Sequence, residues 1–177
     1  MTNHDTSQWY HAITHMIALA DRKDIRTLGI TATQADAGTS LLAQAITESY
    51  VGFGRKTLLA YSRNMPEVPE LATLSLPDAL DADLPLNESR NQFSDLTARY
   101  DMSVVDLPPV SSSPGRSTPE FMRYAPLCDM IFLICVTNTT TREELTDCVD
   151  QCAIHKLNIG GIVMNDYQLV GSQLMSA

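Results

Sequence analysis

The sequence predicts an α/β domain of three layers, with a mostly parallel sheet and helices on both faces. Three observations predict it. Five short, near-continuous apolar runs recur along the chain, as strands buried on both faces require. Segments with helical spacing separate them, so strand and helix alternate. Two loops rich in Pro, Ser or acids follow the second and third runs, at strand ends where such sheets bind ligands.

The elements follow in order. Ser7 to Asp21 reads as a leading helix anchored by Trp9, Ile13, Ile17 and Leu19. Thr27–Thr31 is the first strand. Thr39 to Val51 is a helix with Leu42, Ala45, Ile46 and Ser49 on one face. Thr57–Tyr61 is the second strand. Residues 62–89 carry four prolines and many acids, and read as long irregular structure with one short helix at most. Met102–Leu107 is the third strand and "PPVSSSPGRSTPE" a second loop. Met130–Thr137 is the fourth strand. Thr141 to Leu157 is a helix with Leu145, Cys148, Val149 and Cys152 on one face. Thr141 suits its N-cap, Glu143 and Glu144 suit its first turn, and Gly160 reads as its stop signal. Ile159–Met164 is the fifth strand. The division expected is residues 1–24 as an N-terminal helical segment and 25–177 as the α/β domain.

The 177 residues suffice for one domain with a real core. Hydrophobic content of 44% against 19% charged residues excludes a disordered chain. A net charge of −9, with twelve scattered basic residues, argues against a nucleic-acid partner. No run reaches the roughly 18–20 apolar residues of a membrane span, and the first residues lack a signal core. The expected location is the cytoplasm. Cys128, Cys135, Cys148 and Cys152 show no zinc or redox spacing, so buried reduced thiols are expected.

The chemistry concentrates at "ITATQADAGTSLL", Ile30 to Leu42, a strand–turn–helix passage where a phosphate loop would stand. A working loop reads GxxxxGK[ST]: glycines let backbone N–H groups close on phosphate, Lys bridges the outer phosphates, and Ser or Thr holds magnesium. Here the segment is "TQADAGTS". Gly38 and Ser40 survive, Thr39 replaces the Lys, and Asp36 stands where glycine is common. Losing a charge-assisted bond costs about 1.5–3 kcal/mol. A carboxylate about 5 Å from a phosphate charge adds about 3 kcal/mol at an effective dielectric near 20. The sum, about 5 kcal/mol, removes between three and four decades of affinity. Asp36 is expected to cap the helix instead. The fold class is therefore P-loop NTPase-like, with a degenerate loop: Gly38, Thr39, Ser40 and Asp106 are at best a residual nucleotide site. Neither ATP nor magnesium is expected to bind well, and no residue is assigned a catalytic or metal-binding role. Arg63 is the candidate substitute cation, and Asp106 is expected to cap Ser40 or nearby backbone.

Four blocks in order carry a resemblance. "IRTLGITATQADAGTSLLAQAITESYVGFGRKTLLAYS", "YDMSVVDLPPV", "CDMIFLICVTNTTTREEL" and "KLNIGGIVMND" resemble the bacterial tyrosine kinases (BY-kinases) and related exopolysaccharide-chain regulators, themselves relatives of the partition and division-site ATPases. Coverage runs from Ile25 to Asp166, and the Walker B block with its Asp and twin prolines is the most specific. The resemblance implies a second strand ending in an Asp-x-Asp pair that helps hold magnesium. Here Tyr61, Ser62 and Arg63 stand there. It implies a Glu-x-x-Arg-x-x-Arg assembly motif, where this chain has Gln8, His11 and Thr14. It implies a tyrosine-rich tail, where Tyr167 stands alone. The signature Lys of the partition ATPases is Gln34.

The function expected is a non-catalytic, BY-kinase-like pseudo-ATPase that binds or regulates in bacterial exopolysaccharide synthesis or export. Its partner would be a membrane-anchored export or synthase component that recruits it to the inner face of the cell membrane, or a second copy in a homo-oligomer. Trp9, Tyr10 and Ile13 are the expected partner surface, because aromatic anchors dominate interface energy. Two alternatives stay open: an ATPase or protein-tyrosine kinase with an atypical loop, relying on Arg63, and a partition-ATPase-like spatial regulator.

Overall fold

A computed structural model describes residues 9–63, 68–113 and 115–166. Six parallel strands form the sheet: β1 (Thr27–Ala32), β2 (Thr57–Tyr61), β3 (Ala72–Ser75), β4 (Met102–Asp106), β7 (Met130–Val136) and β8 (Ile159–Asn165). Their order is β3-β2-β4-β1-β7-β8. The strand after Arg26 and the strand after Tyr100 are neighbours at the centre, paired in parallel with Ile30 beside Asp106. A short antiparallel hairpin, β5 (Ser111–Ser113) and β6 (Arg116–Ser117), stands apart.

Two cores explain the layers. On one face α1 (Tyr10–Arg22) and α2 (Thr39–Gly52) bury Met16, Ile17, Leu42 and Ile46 against Leu28, Ile30 and Val104. On the other, Phe93 of α4 (Leu86–Thr97), Phe121 of α5 (Pro119–Tyr124) and Cys148 of α6 (Arg142–Ile154) cover Val105, Ile131 and Leu133. A single-turn α3 (Leu76–Ala79) follows β3 directly. Strands β1 and β4 are buried at every position, which is why they read as apolar runs rather than alternations.

Several expectations need correction. Residues 62–89 are not irregular throughout: Ala72–Ser75 adds an edge strand and Leu86 begins a three-turn helix. The four-residue strand, with Thr73 and Ser75 for half its length, is too short and too polar to announce itself. Helix α2 turns Thr39, Leu42, Ala43, Ile46, Thr47 and Tyr50 inward, so Ala45 and Ser49 lie beside its buried face rather than on it. Gly160 is not a helix stop. The helix ends at Ile154, and Gly160 lies within β8, where a Cβ would meet Met130 Sδ at 2.5 Å. All four cysteines are free and buried, as expected. Burial pushes the Cys148 and Cys152 thiols up to about 12 and about 11, so both stay protonated.

The expected partner surface also changes. Trp9 and Ile13 are buried, at 8% and 7% exposure, in the core shared by α1 and α2. Only Tyr10, 68% exposed, faces outward. Helical geometry is the cause: neighbours 9 and 10 lie about 100° apart around the axis, so one enters the core as the other leaves it. Gln8 and Tyr167 lie outside the described residues.

Candidate functional site

Parallel packing brings the ends of β1, β2 and β4 together. Main-chain bonds run on past the strands: Leu107 N donates to Ile30 O at 2.9 Å and Val110 N to Ala32 O at 3.0 Å. The Thr31 hydroxyl donates to Pro108 O at 2.7 Å. The twin prolines therefore run beside the phosphate-loop position instead of leaving the sheet. Thr33 N donates to Ile134 O at 3.0 Å, which ties the start of the loop to β7.

The loop itself departs from a phosphate cradle. Gly38 sits at φ 92° at the N-cap of α2, a conformation glycine allows without strain. Asp36 is exposed at φ 58° and does not occupy the N-cap position, so the expected cap is not made. Thr39, in the Lys position, is buried. Asn165, at the end of β8, donates from Nδ2 to Ala37 O at 2.9 Å. A Cβ on Gly38 would lie 3.2 Å from that Nδ2 and 3.7 Å from Trp9 Cζ2. Thus β8 and the start of α1 brace the loop from one side. The sequence offered only the Asn at the end of its fourth block as a signal for this brace.

Asp106 does hold Ser40. Ser40 Oγ donates to Asp106 Oδ2 at 2.6 Å. Behind it, Ser62 donates from Oγ and from its backbone N to Asp106 O, at 2.9 and 3.1 Å. The carboxyl is fully buried, and Oδ1 makes no hydrogen bond. Burial pushes its pKa up. The bond from Ser40, the charge of Arg63 and the Thr39 hydroxyl pull the other way without cancelling it.

These residues fit one half of a magnesium nucleotide and not the other. Ser40 and Asp106 are in contact, as a metal-side pair would be, and Oδ1 is an acceptor with no partner. The phosphate side has Thr39 for a cation and Asp36 for a glycine. Arg63 stands at the end of β2, exposed, where its charge reaches Asp106. The set as a whole does not suit a polyphosphate.

Beside the loop opens a cleft of about 910 Å³. Thr33, Gln34, Ala35, Ser62 and Arg63 form one wall, with Pro108 and Pro109 alongside. Four carboxylates also line it: Glu120 from α5, and Glu143, Glu144 and Asp147 from α6. Thr141 is the N-cap of α6, as its sequence predicts, and forms a reciprocal capping box with Glu144. Asp147 accepts from Gly115 N at 2.7 Å and so fixes the hairpin tip over α6. Read along the chain, Glu120, Glu143 and Glu144 are ordinary first-turn residues and Asp147 lies a turn further on; only the fold gathers them around one cleft.

Solved structures match this arrangement. The VpsO kinase domain superposes with a TM-score of 0.68 over 93% of this chain and 98% of its own, at 18% identity. The fold is that of BY-kinase domains and their P-loop relatives. The BceF tyrosine kinase domain matches at 0.64 with 17% identity, over 86% of this chain and 74% of its own. The division protein MinD of Aquifex aeolicus matches at 0.59 with 14% identity, over 81% and 70%. No protein-family model and no curated protein matches the sequence. Within this BY-kinase-like fold, Gly38, Thr39, Ser40 and Asp106 converge on one point, and Arg63 stands beside it. Trp9 braces the loop from within; Tyr10 does not line the cleft. Among the described residues no helix is long and apolar enough to cross a membrane.

Proposed function

We propose that this protein is a non-catalytic, BY-kinase-like pseudo-ATPase that works by binding a partner in bacterial exopolysaccharide synthesis or export. One observation carries the reading: Thr39 stands in the Lys position beside an Asp106 whose second oxygen has no partner. A site built for phosphate needs positive charge at that point. Here the nearest such charge is the exposed Arg63, at the end of another strand. The second-strand acids needed beside magnesium are Tyr61 and Arg63 in this chain. The pathway rests on the likeness in fold to BY-kinase domains and on the block order.

The partner in this proposal is the cytoplasmic end of a membrane-anchored export or synthase component, which brings the protein to the inner membrane face; self-association accompanies or replaces that contact. Neither needs ATP or magnesium. Complementation tests the reading. A strain lacking the gene changes its exopolysaccharide yield, and the native gene and a Ser40→Ala variant restore it equally. Failure of a folded, normally expressed Ser40→Ala protein to restore the polymer contradicts a non-catalytic role, as does tyrosine phosphorylation by the purified protein.

A further inference from the structure

The two ends of the sheet are finished differently. At one end β3 is four residues long and half polar. At the other, β8 runs for seven residues, and Ile159 to Asn165 includes no Lys, Arg, Asp, Glu or Pro. Edge strands are normally short, charged or broken by Pro, because an open row of N–H and C=O groups pairs with other chains. One face of β8 is covered: Val163 and Asn165 are buried, Val163 in the core of α1 and α2. The other face is not. Ile162 stands in register with Leu133, on the face that α6 covers further in, yet Ile162 is 45% and Met164 59% exposed.

The main chain presents the same two residues. Thr137 N donates to Asn165 O at 2.9 Å. Direction alternates along a strand, so Val163 and Asn165 address β7, whereas the N–H and C=O groups of Ile162 and Met164 point away from it. Among the described residues no strand lies beyond them. An antiparallel copy of β8 meets this edge in a self-complementary register. With Val163 opposite its own equivalent, Ile162 stands opposite Met164 of the second copy and Met164 opposite Ile162, and both pairs exchange main-chain bonds. Gly161 then stands opposite Asn165, and Gly160 opposite Asp166. The four apolar side chains share the face that both α6 helices cover. End charges also fit: the exposed Asp166 of each copy approaches the end of β8 that follows the exposed Lys156 of the other, and no like charges are opposed.

We propose that β8 pairs antiparallel with β8 of a second copy of this chain, Ile162 opposite Met164, so that two six-stranded sheets continue as one. The proposal rests on the nucleotide-independent self-association proposed above and names its surface. A second copy fits because the strand is its own complement in length, side-chain size and end charge. The contact is two-fold and closed, since each edge is used up by the other.

The test is sedimentation velocity of the full chain without nucleotide, up to about 100 μM protein. A dimer is expected. Ile162→Lys with Met164→Lys should weaken it at least tenfold, because like charges then stand directly opposite. A control, Leu41→Lys with Phe53→Lys, charges as many exposed apolar positions at α2 and should change it less than twofold. Circular dichroism verifies each fold. Disulfide trapping reads the register, on a Cys135→Ala background because Cys135 Sγ lies 3.1 Å from Met164 Sδ. A mixture of Ile162→Cys and Met164→Cys proteins should cross-link under mild oxidation, with opposed Cα atoms about 5.5 Å apart. Neither protein alone should, since its two cysteines stand diagonally at roughly 7–8 Å. A monomer at the highest concentration overturns the proposal, as does a dimer seen only with magnesium ATP. So does a dimer that the Lys pair leaves unchanged or that both double variants weaken equally, or one that traps in each single protein as readily as in the mixture. If Ser40→Ala fails to restore the polymer while this dimer is intact, the non-catalytic reading falls and the interface stands.

Discussion

Restoring the phosphate loop is the perturbation whose size the structure sets. The variant is Thr39→Lys with Asp36→Gly. The Lys returns a charge-assisted bond to phosphate, worth about 1.5–3 kcal/mol. The gain from removing Asp36 is smaller than sequence alone suggests. Asp36 is exposed, so the effective dielectric is nearer 80 than 20, and its repulsion of a phosphate charge about 5 Å away falls to about 0.8 kcal/mol. Together these give about 2.3–3.8 kcal/mol, or about 1.7–2.8 decades in Kd. Asp36→Gly alone should yield about fourfold. It should also relieve the left-handed backbone at φ 58°, which raises stability and not affinity. Calorimetric titration with magnesium ADP reads both. A folded double variant that gains less than tenfold would refute the reasoning, because the deficit would then lie at Tyr61, Ser62 and Arg63 and not in the loop.

Other outcomes follow from single contacts. Asp106→Asn should raise Tm at pH 7, since the neutral amide keeps the Ser40 bond and removes a carboxyl whose ionisation burial opposes; its nitrogen, which lacks an acceptor, limits the gain. The folded protein holds the Asp106 proton more tightly than the unfolded chain, so ionisation costs stability as pH rises through the folded-state pKa. The gain should therefore shrink as pH falls toward the ordinary 3.8, and calorimetry at pH 7 and pH 4 that shows no narrowing would contradict the assignment. Gly160→Ala should cost about 1–3 kcal/mol in urea unfolding, because its Cβ would strike Met130, which is fully buried. Trp9→Ala should cost about 3 kcal/mol and Tyr10→Ala almost nothing. Any association lost in a folded Tyr10→Ala protein would mark Tyr10 as a contact.

The strands were legible because burial on both faces writes itself as unbroken apolar runs: Leu28 to Ala32 and Met130 to Cys135 have no solvent side to encode. The start of α6 was legible for a similar local reason, since its N-cap Thr141 and first-turn acids stand next to one another in the chain. The loop's departure from the phosphate-loop pattern was legible as an absence, Thr39 for Lys. What stayed hidden depends on distant parts of the chain. Ala72–Ser75 is a strand only because β2 offers it an edge. Trp9 is a core residue because the ends of α1 and β8 meet at Gly38, 29 and 127 positions away from Trp9 and Asn165 respectively. The carboxylates around the cleft join α5, α6 and a hairpin tip that no spacing rule connects. Asp106 was expected to cap Ser40 and does; its orphaned Oδ1 needed the packing around it.

Magnesium ATP added to the native protein tests the central claim most directly. Stabilisation by a ligand follows RT ln(1 + [L]/Kd). With Kd at or above millimolar, 1 mM magnesium ATP adds less than about 0.5 kcal/mol, and Tm should move by no more than about 2 °C. A micromolar site would add about 4 kcal/mol at the same concentration and raise Tm by about 8 °C or more. A shift of that size, with Thr39 and Asp36 in place, would contradict the account.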